Sequence, residues 1–137
     1  MSTAKIESIL KTSGYSWTRP RKMVFELLQH QEPQSVRELL ERSSGQIDRA
    51  SLYRTLSLFE DLHIVHRVFF GWKHRYELGE QFREHHHHLY CQQCGKIIPI
   101  EDTAELDSLL SELTSAHGFH ALQHQFEISG LCRSCQK

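Results

Sequence analysis

The tightest constraint on this chain is a pair of cysteine doublets, Cys91-x-x-Cys94 and Cys132-x-x-Cys135, which together use every cysteine it has. Two thiolates separated by two residues can bite one tetrahedral ion, and a second such bite completes a closed shell of four sulfurs. The alternative is buried or redox-active thiols, and the matched spacing of all four argues against it. The 37 residues between the doublets are more than a small zinc finger carries, so the ion must join distant strands of one domain. Gly95, directly after the first doublet, permits the tight turn that aims backbone amides at sulfur.

Residues 84–95 read EHHHHLYCQQCG, four histidines leading into the first doublet. A purification tag would sit at a terminus beside small linker residues, whereas this run lies inside the chain. If residues 85–91 form a strand, side chains alternate between its faces. His85 and His87 then point one way, His86 and His88 the other, and each pair begins a separate metal site. Partners for the first pair are Asp107, on a predicted helix at 104–116 carrying Leu106, Leu109, Leu110 and Leu113, and His124, which opens a last alternating strand running into Cys132. Glu105 is the alternative to Asp107. For the second pair, either His66 or Glu77, at the two ends of a predicted hairpin, is a candidate. A lone histidine is usually a surface or core residue, which covers His30, His63, His117 and His120 and applies with less force to His66 and His74.

The 137 residues suffice for one ordinary domain or two small ones, and 39% hydrophobic with 24% charged residues is the balance of a soluble globular protein. No apolar run approaches the ~20 residues of a membrane span. The start, MSTAKIESIL, lacks the pattern of a signal peptide. The expected location is the cytoplasm, where paired cysteines more often hold a metal than a disulfide. Residues 1–83 carry 13 Lys and Arg against 10 Asp and Glu, a net of +3, while residues 84–137 carry 3 against 7, a net of −4. The chain thus divides into a mildly basic part, 1–83, without cysteine and an acidic part, 84–137, rich in metal ligands.

The first part reads as four helices and a hairpin. Ile6, Ile9 and Leu10 have helical spacing up to Gly14, and Thr18-Arg19-Pro20 is a helix start followed by a stripe of Met23, Val24, Leu27 and Leu28 that ends before Pro33. A short third helix follows Ser35, with Val36, Leu39 and Leu40 turned inward. Asp48 caps a fourth with Leu52, Leu56, Phe59 and Leu62 on one face and Ala50, Tyr53, Arg54 and Ser57 on the other. Small residues flanking an aromatic and an arginine are how a major-groove recognition helix is built, although an ordinary solvated face has a similar makeup. Residues 64–70 and 74–78 are β-prone runs around Gly71-Trp72-Lys73. Helices, a recognition-type helix and then a hairpin are the order of a winged helix, with Arg67, Lys73 and Arg75 bringing positive charge near phosphates.

With these residues in view, the chain resembles the ferric uptake regulator family of bacterial metal-sensing repressors along nearly its whole length. The matching stretches are TRPR at 18–21, ASLYRTL at 50–56, RYEL at 75–78, HHHHLYCQQCGK at 85–96, and HGF followed by HQFEISGLCRSC near the end. The resemblance implies an α+β fold: an N-terminal winged helix-turn-helix domain at 1–83 and a small α/β dimerisation domain at 84–137, in a cytoplasmic homodimer that closes over a double-stranded DNA operator when metal binds. It implies DNA contacts from Tyr53 and Arg54, with Arg19 and Arg21 near the backbone, and structural zinc on Cys91, Cys94, Cys132 and Cys135. It assigns His85, His87, Asp107 and His124 to a second metal in the dimerisation domain, and Glu77, His86 and His88 to a sensory metal.

One departure bears on the metal. Iron-type members usually supply a sensory histidine from the loop after the second helix, where this chain has Pro33. Zinc-type members use the start of the wing, here His66, yet often carry a cysteine where this chain has Glu77. Three histidines and a carboxylate suit zinc and also accept iron or manganese, with zinc slightly favoured. A zinc-dependent hydrolase is the rival from another class, but each set here has four protein ligands and leaves no position open for water. A zinc-stabilised scaffold without DNA binding is the third reading, and TRPR and ASLYRTL argue against it.

Overall fold

Thr18 starts the second helix by a local mechanism. Its backbone is extended, its hydroxyl accepts a hydrogen bond from the Arg21 amide at 3.4 Å, and Pro20 sits in the first turn where no amide donor is needed. The computed structural model to which this helix belongs describes residues 2–29, 32–101 and 103–136, with Ser2 by its backbone alone, so His30 lies outside the described residues. It separates into two units, Met1–Arg83 and Glu84–Lys137.

The first unit comprises α1 (Ser2–Thr12), α2 (Arg19–Leu28), α3 (Val36–Arg42), α4 (Arg49–Asp61), β1 (Val65–Phe70) and β2 (Lys73–Leu78). Ser35 and Glu38 form a reciprocal capping box on α3, and the Asp48 carboxylate accepts from the Ser51 amide at 2.7 Å to begin α4. Of the positions chosen by periodicity, Ile6 and Leu10 of α1, Val24 and Leu28 of α2, Leu39 of α3, and Leu52, Leu56 and Phe59 of α4 meet in the core. Phe25, outside the chosen stripe, joins them there, while Ile9, Met23, Leu27, Val36, Leu40 and Leu62 pack partly buried against it. Full burial of each large side chain contributes about 1.5–3 kcal/mol.

β1 and β2 pair antiparallel from Val65↔Leu78 to Phe70↔Lys73. The loop is therefore two residues, Gly71-Trp72, rather than three, because Lys73 already pairs. Gly71 takes φ +66° in the first loop position and Trp72 does not, which is the type II′ pattern that suits strand twist. Gln34 extends this sheet through a two-way bridge, its amide donating to the Tyr76 carbonyl at 2.9 Å and its carbonyl accepting from the Tyr76 amide at 2.7 Å. The Gln34 side-chain amide and Arg42 both donate to the Leu27 carbonyl, at 2.9 and 2.6 Å, closing an orphan acceptor at the end of α2.

The second unit comprises β3 (His87–Cys91), β4 (Ile97–Ile100), α5 (Ala104–Ala116) and β5 (Glu127–Gly130), ending in a single 3₁₀ turn at Arg133–Cys135. The sheet order is β4-β3-β5, with β4 antiparallel and β5 parallel to the central strand. The strands start later than the alternation predicts, at 87 instead of 85 and at 127 instead of 124, so His85 and His124 lie on the approaches to them. α5 has no buried residue, and Leu109, Leu113, Ile128 and Leu131 are exposed. Among the described residues no helix is long and apolar enough to cross a membrane.

Phe59, fully buried among the helices of the first unit, gives a direct test of this core. Phe59→Ala is expected to lose about 3–5 kcal/mol of stability, read as a lower urea midpoint. An unchanged midpoint would place Phe59 outside the packed core.

Candidate metal centres and nucleic-acid face

Two tight turns build the cysteine cluster. The Gly95 amide donates to the Cys91 carbonyl at 2.9 Å with Gly95 at φ +78°, and the Cys135 amide donates to the Cys132 carbonyl at 3.0 Å. Parallel pairing of Cys91 with Gly130 then brings the second doublet to the first. The four sulfurs lie within 4.8 Å of one another. The Cys91 sulfur accepts from the amides of Cys94 at 3.5 Å and Cys132 at 3.4 Å, which lowers its pKa to about 6. The Cys135 thiol is pushed up to about 12, first by its hydrogen bond with Cys132 and then by burial and the other sulfurs. Thiols this close resist ionising together, and one divalent cation would draw the protons from all four. The donor set fits a zinc ion held in a closed tetrahedral shell, and that shell has no place for a catalytic water.

A second cluster forms around Asp107 in the first turn of α5. Its Oδ1 lies 3.1 Å from His85 Nε2, 3.3 Å from His87 Nε2 and 3.6 Å from His124 Nε2. All four donors fall within 4.8 Å of one another. The Thr103 hydroxyl donates to the other Asp107 oxygen at 3.0 Å and so orients the carboxylate. Burial opposes the charge on Asp107, but hydrogen bonds from His87, Thr103 and His85 outweigh it and hold the carboxyl below its ordinary range. Three imidazoles and a carboxylate converging in this way could hold zinc, iron or manganese. Glu105, the other acid of that turn, is exposed and outside the group.

The remaining histidines of the run stand together on the other face, the His86 and His88 rings being 4.6 Å apart. His88 Nδ1 lies 2.9 Å from Glu127 Oε2, a partner that sequence reading did not single out. The signal for it is the parallel register His88↔Glu127, which residue types alone do not disclose. Within the first unit, His66 and Glu77 are direct cross-strand neighbours, with Nε2 2.9 Å from Oε1, and the Arg83 guanidinium sits 3.4 Å from the other Glu77 oxygen.

On α4 the outer residues Ala50, Tyr53, Arg54 and Ser57 are all exposed, and Arg54 donates to the Ser51 hydroxyl at 3.1 Å. Arg19 is exposed at the start of α2. Arg21 is tethered, donating to the Ser16 carbonyl at 2.7 Å and lying 5.5 Å from the Tyr15 ring centre. The wing differs from the charge distribution expected of it. Arg67 pairs with Glu60 of α4 at 2.8 Å and Arg75 with Glu38 of α3 at 3.2 Å, so both arginines brace the hairpin against helices. Lys73 lies 5.3 Å from the Trp72 ring centre at the tip.

The lowered pKa of Asp107 fixes the sign of a pH effect. A carboxyl held below its unfolded value of about 3.9 contributes stability above that pH and loses it as pH falls through the folded value. In metal-free protein, Asp107→Asn should therefore be less stable than wild type near neutrality, and the gap should shrink below about pH 4. Urea midpoints of the two proteins across that range check this, and a gap independent of pH would sink it.

A sequence profile of the ferric uptake regulator family matches residues 12–129. The chain is 34% identical over 131 residues to the ferric uptake regulation protein of Yersinia pestis, covering 91% of this chain and 86% of that one. It is 33% identical over 129 residues to the protein of the same description from Escherichia coli K12, covering 90% and 85%. The crystal structure of the Vibrio cholerae ferric uptake regulator superposes with a TM-score of 0.74 at 30% identity, covering 92% of this chain and 98% of that one. The winged helix followed by a small sheet-containing dimerisation domain is the fold shared with that structure. The chain belongs to the ferric uptake regulator family and is accordingly a metal-dependent, DNA-binding regulator of transcription and not an enzyme.

Proposed function

We propose that this protein is a homodimeric, cytoplasmic repressor of metal-uptake genes, with zinc ahead of iron and manganese as the sensed metal. The observation that carries the reading is the division of four consecutive histidines between two faces. His85 and His87 gather around Asp107 with His124, while the His86 and His88 rings stand together on the other side. Two metals beyond the cysteine cluster follow from that division. Cys91, Cys94, Cys132 and Cys135 hold structural zinc, and His85, His87, Asp107 and His124 hold a second ion. The sensory ion takes His66, Glu77, His86 and His88. Three imidazoles and one carboxylate suit zinc and also accept iron or manganese, and Pro33, where iron-type relatives usually supply a histidine, tips the balance slightly to zinc.

Self-association is supported by the exposed apolar face of the second unit, where Leu109 and Leu113 are each 52% exposed and β5 is an edge strand. A second copy covers such a surface through a two-fold interface. Tyr53 and Arg54 read base edges in the major groove, and Arg19 and Arg21 fix the register on phosphates.

DNA binding should need added metal and should weaken steeply as salt rises, because counterion release supplies much of the affinity. The test is a titration of protein that retains its structural zinc with zinc, iron(II) or manganese(II), using duplexes recovered by in vitro selection. Arg54→Ala should weaken binding by about 1–3 kcal/mol with metal content unchanged. Full-strength binding by that variant would remove Arg54 from the interface, and metal-independent binding would overturn the sensor.

The three sites should separate by mutation. His86→Ala with His88→Ala should leave a folded, zinc-containing dimer that no longer responds to metal on DNA. His85→Ala with His87→Ala should lower thermal stability or dimer affinity first and DNA binding only in consequence. Cys94→Ala should be the most damaging, because structural zinc is part of the folding free energy. Zinc content, melting temperature and metal-dependent DNA affinity distinguish these outcomes, and identical phenotypes for the two histidine pairs would collapse two sites into one.

A further inference from the structure

We propose that Glu127 is a positioning residue for the sensory metal: it holds the His88 imidazole by Nδ1 and so presents Nε2 to the ion. The inference rests on the reading of His88 as a sensory ligand. It starts from register. β3 and β5 run parallel with His88 directly opposite Glu127, so the two side chains leave the sheet on the same face. The His88 side chain is 2% exposed and that of Glu127 13%, with Nδ1 and Oε2 2.9 Å apart. A carboxylate sheltered to this degree needs a donor, and the imidazole N–H supplies it.

The chemistry of the pair is directional. An ionised carboxylate only accepts, so the proton of this bond belongs to His88 Nδ1. That fixes the tautomer whose Nε2 carries the lone pair a metal requires. His86 meets the same condition by a weaker route, its Nδ1 lying 2.8 Å from the Glu84 carbonyl oxygen. Both histidines of this face are thus set by an oxygen at Nδ1, one neutral and main-chain, the other charged and sheltered. A carboxylate at the far nitrogen also fixes the orientation of the ring toward a metal. In the other cluster it is Nε2 of His85, His87 and His124 that converges on Asp107, the same nitrogen in every case.

The test uses the full-length protein with its structural zinc in place. Zinc is titrated against a chromophoric competitor while the histidine rings are followed by ¹H–¹⁵N NMR, whose separate His88 signal isolates this site from that at Asp107. In wild type the His88 ring should show Nδ1–H before metal and a shift at Nε2 upon binding. Glu127→Ala should weaken zinc binding at His88 by about 10–100-fold and mix the two tautomers. Glu127→Gln should keep the tautomer, since its amide oxygen still accepts, and lose less affinity. It also keeps the test decisive if the alanine variant folds poorly. Wild-type affinity in both variants, or an Nε2–H tautomer in wild type, would overturn the proposal. So would a lower melting temperature with unchanged zinc affinity, which marks a merely structural role. A changed coordination number in the cobalt(II) spectrum of Glu127→Gln would make Glu127 a ligand and overturn the positioning role. His88→Ala separates the two readings. If it abolishes the sensory site while Glu127→Ala does not, the positioning role alone fails. If His88→Ala leaves the site intact, the sensory assignment fails and this inference falls with it.

Discussion

The second unit depends on one sulfur. Cys91 ends the central strand, and its thiol receives the amides of both Cys94, three residues on, and Cys132, forty-one residues on. Those bonds seat both cysteine doublets against one point and hold β5 parallel to β3, a connection that needs a long crossover and closes only at an entropic cost. Few apolar side chains are available to offset that cost, since Cys91 and Ile97 are the only buried hydrophobic residues among the described part of this unit. A unit with so small a core is held by polar and thiol contacts, and a metal on the four sulfurs would act where the apolar core is thinnest. The placing of Glu127 beside His88 follows from that closure, since both lie in the β3–β5 register.

How much of this was legible in the sequence varies with the kind of signal. The helices of the first unit carry local start signals at Thr18, Ser35 and Asp48 and apolar stripes of period 3.6, and both are properties of neighbouring residues. β4 was not legible. Ile97-Ile98-Pro99-Ile100 has no alternation and contains a proline, and it pairs only because Pro99 sits on an edge strand where its missing donor is not needed. The bracing of Arg67 and Arg75 was likewise hidden, since their partners Glu60 and Glu38 lie on helices whose approach to the hairpin is a tertiary fact. Gln34, between the second and third helices, carries no local signal yet bridges to Tyr76 and, with Arg42, donates to the Leu27 carbonyl. The donors around Asp107 were nameable from alternation and helix position, whereas Glu127 required the register of two strands far apart in the chain.

The His run shows how far the parity of a strand can go in place of sequence diversity. Four identical side chains would be expected to compete for one ion, and the backbone forbids it. His87 and His88 leave β3 on opposite faces, and His85 and His86, on the approach to the strand, each stand beside the residue two places on. The rings of each pair stand 4.7 and 4.6 Å apart, within reach of a shared ion. What makes the faces chemically different is what opposes them: α5 brings Asp107 to one, and β5 brings Glu127 to the other. A slip of one residue in the β3 register would exchange the two pairs and set each against the wrong partner. The Cys91 thiol resists that slip, because its bonds to Cys94 and Cys132 fix which residue of β3 stands at the end of the strand. The cysteine cluster therefore assigns the histidines to their faces as well as closing the unit. A cation at the four sulfurs would tighten that assignment.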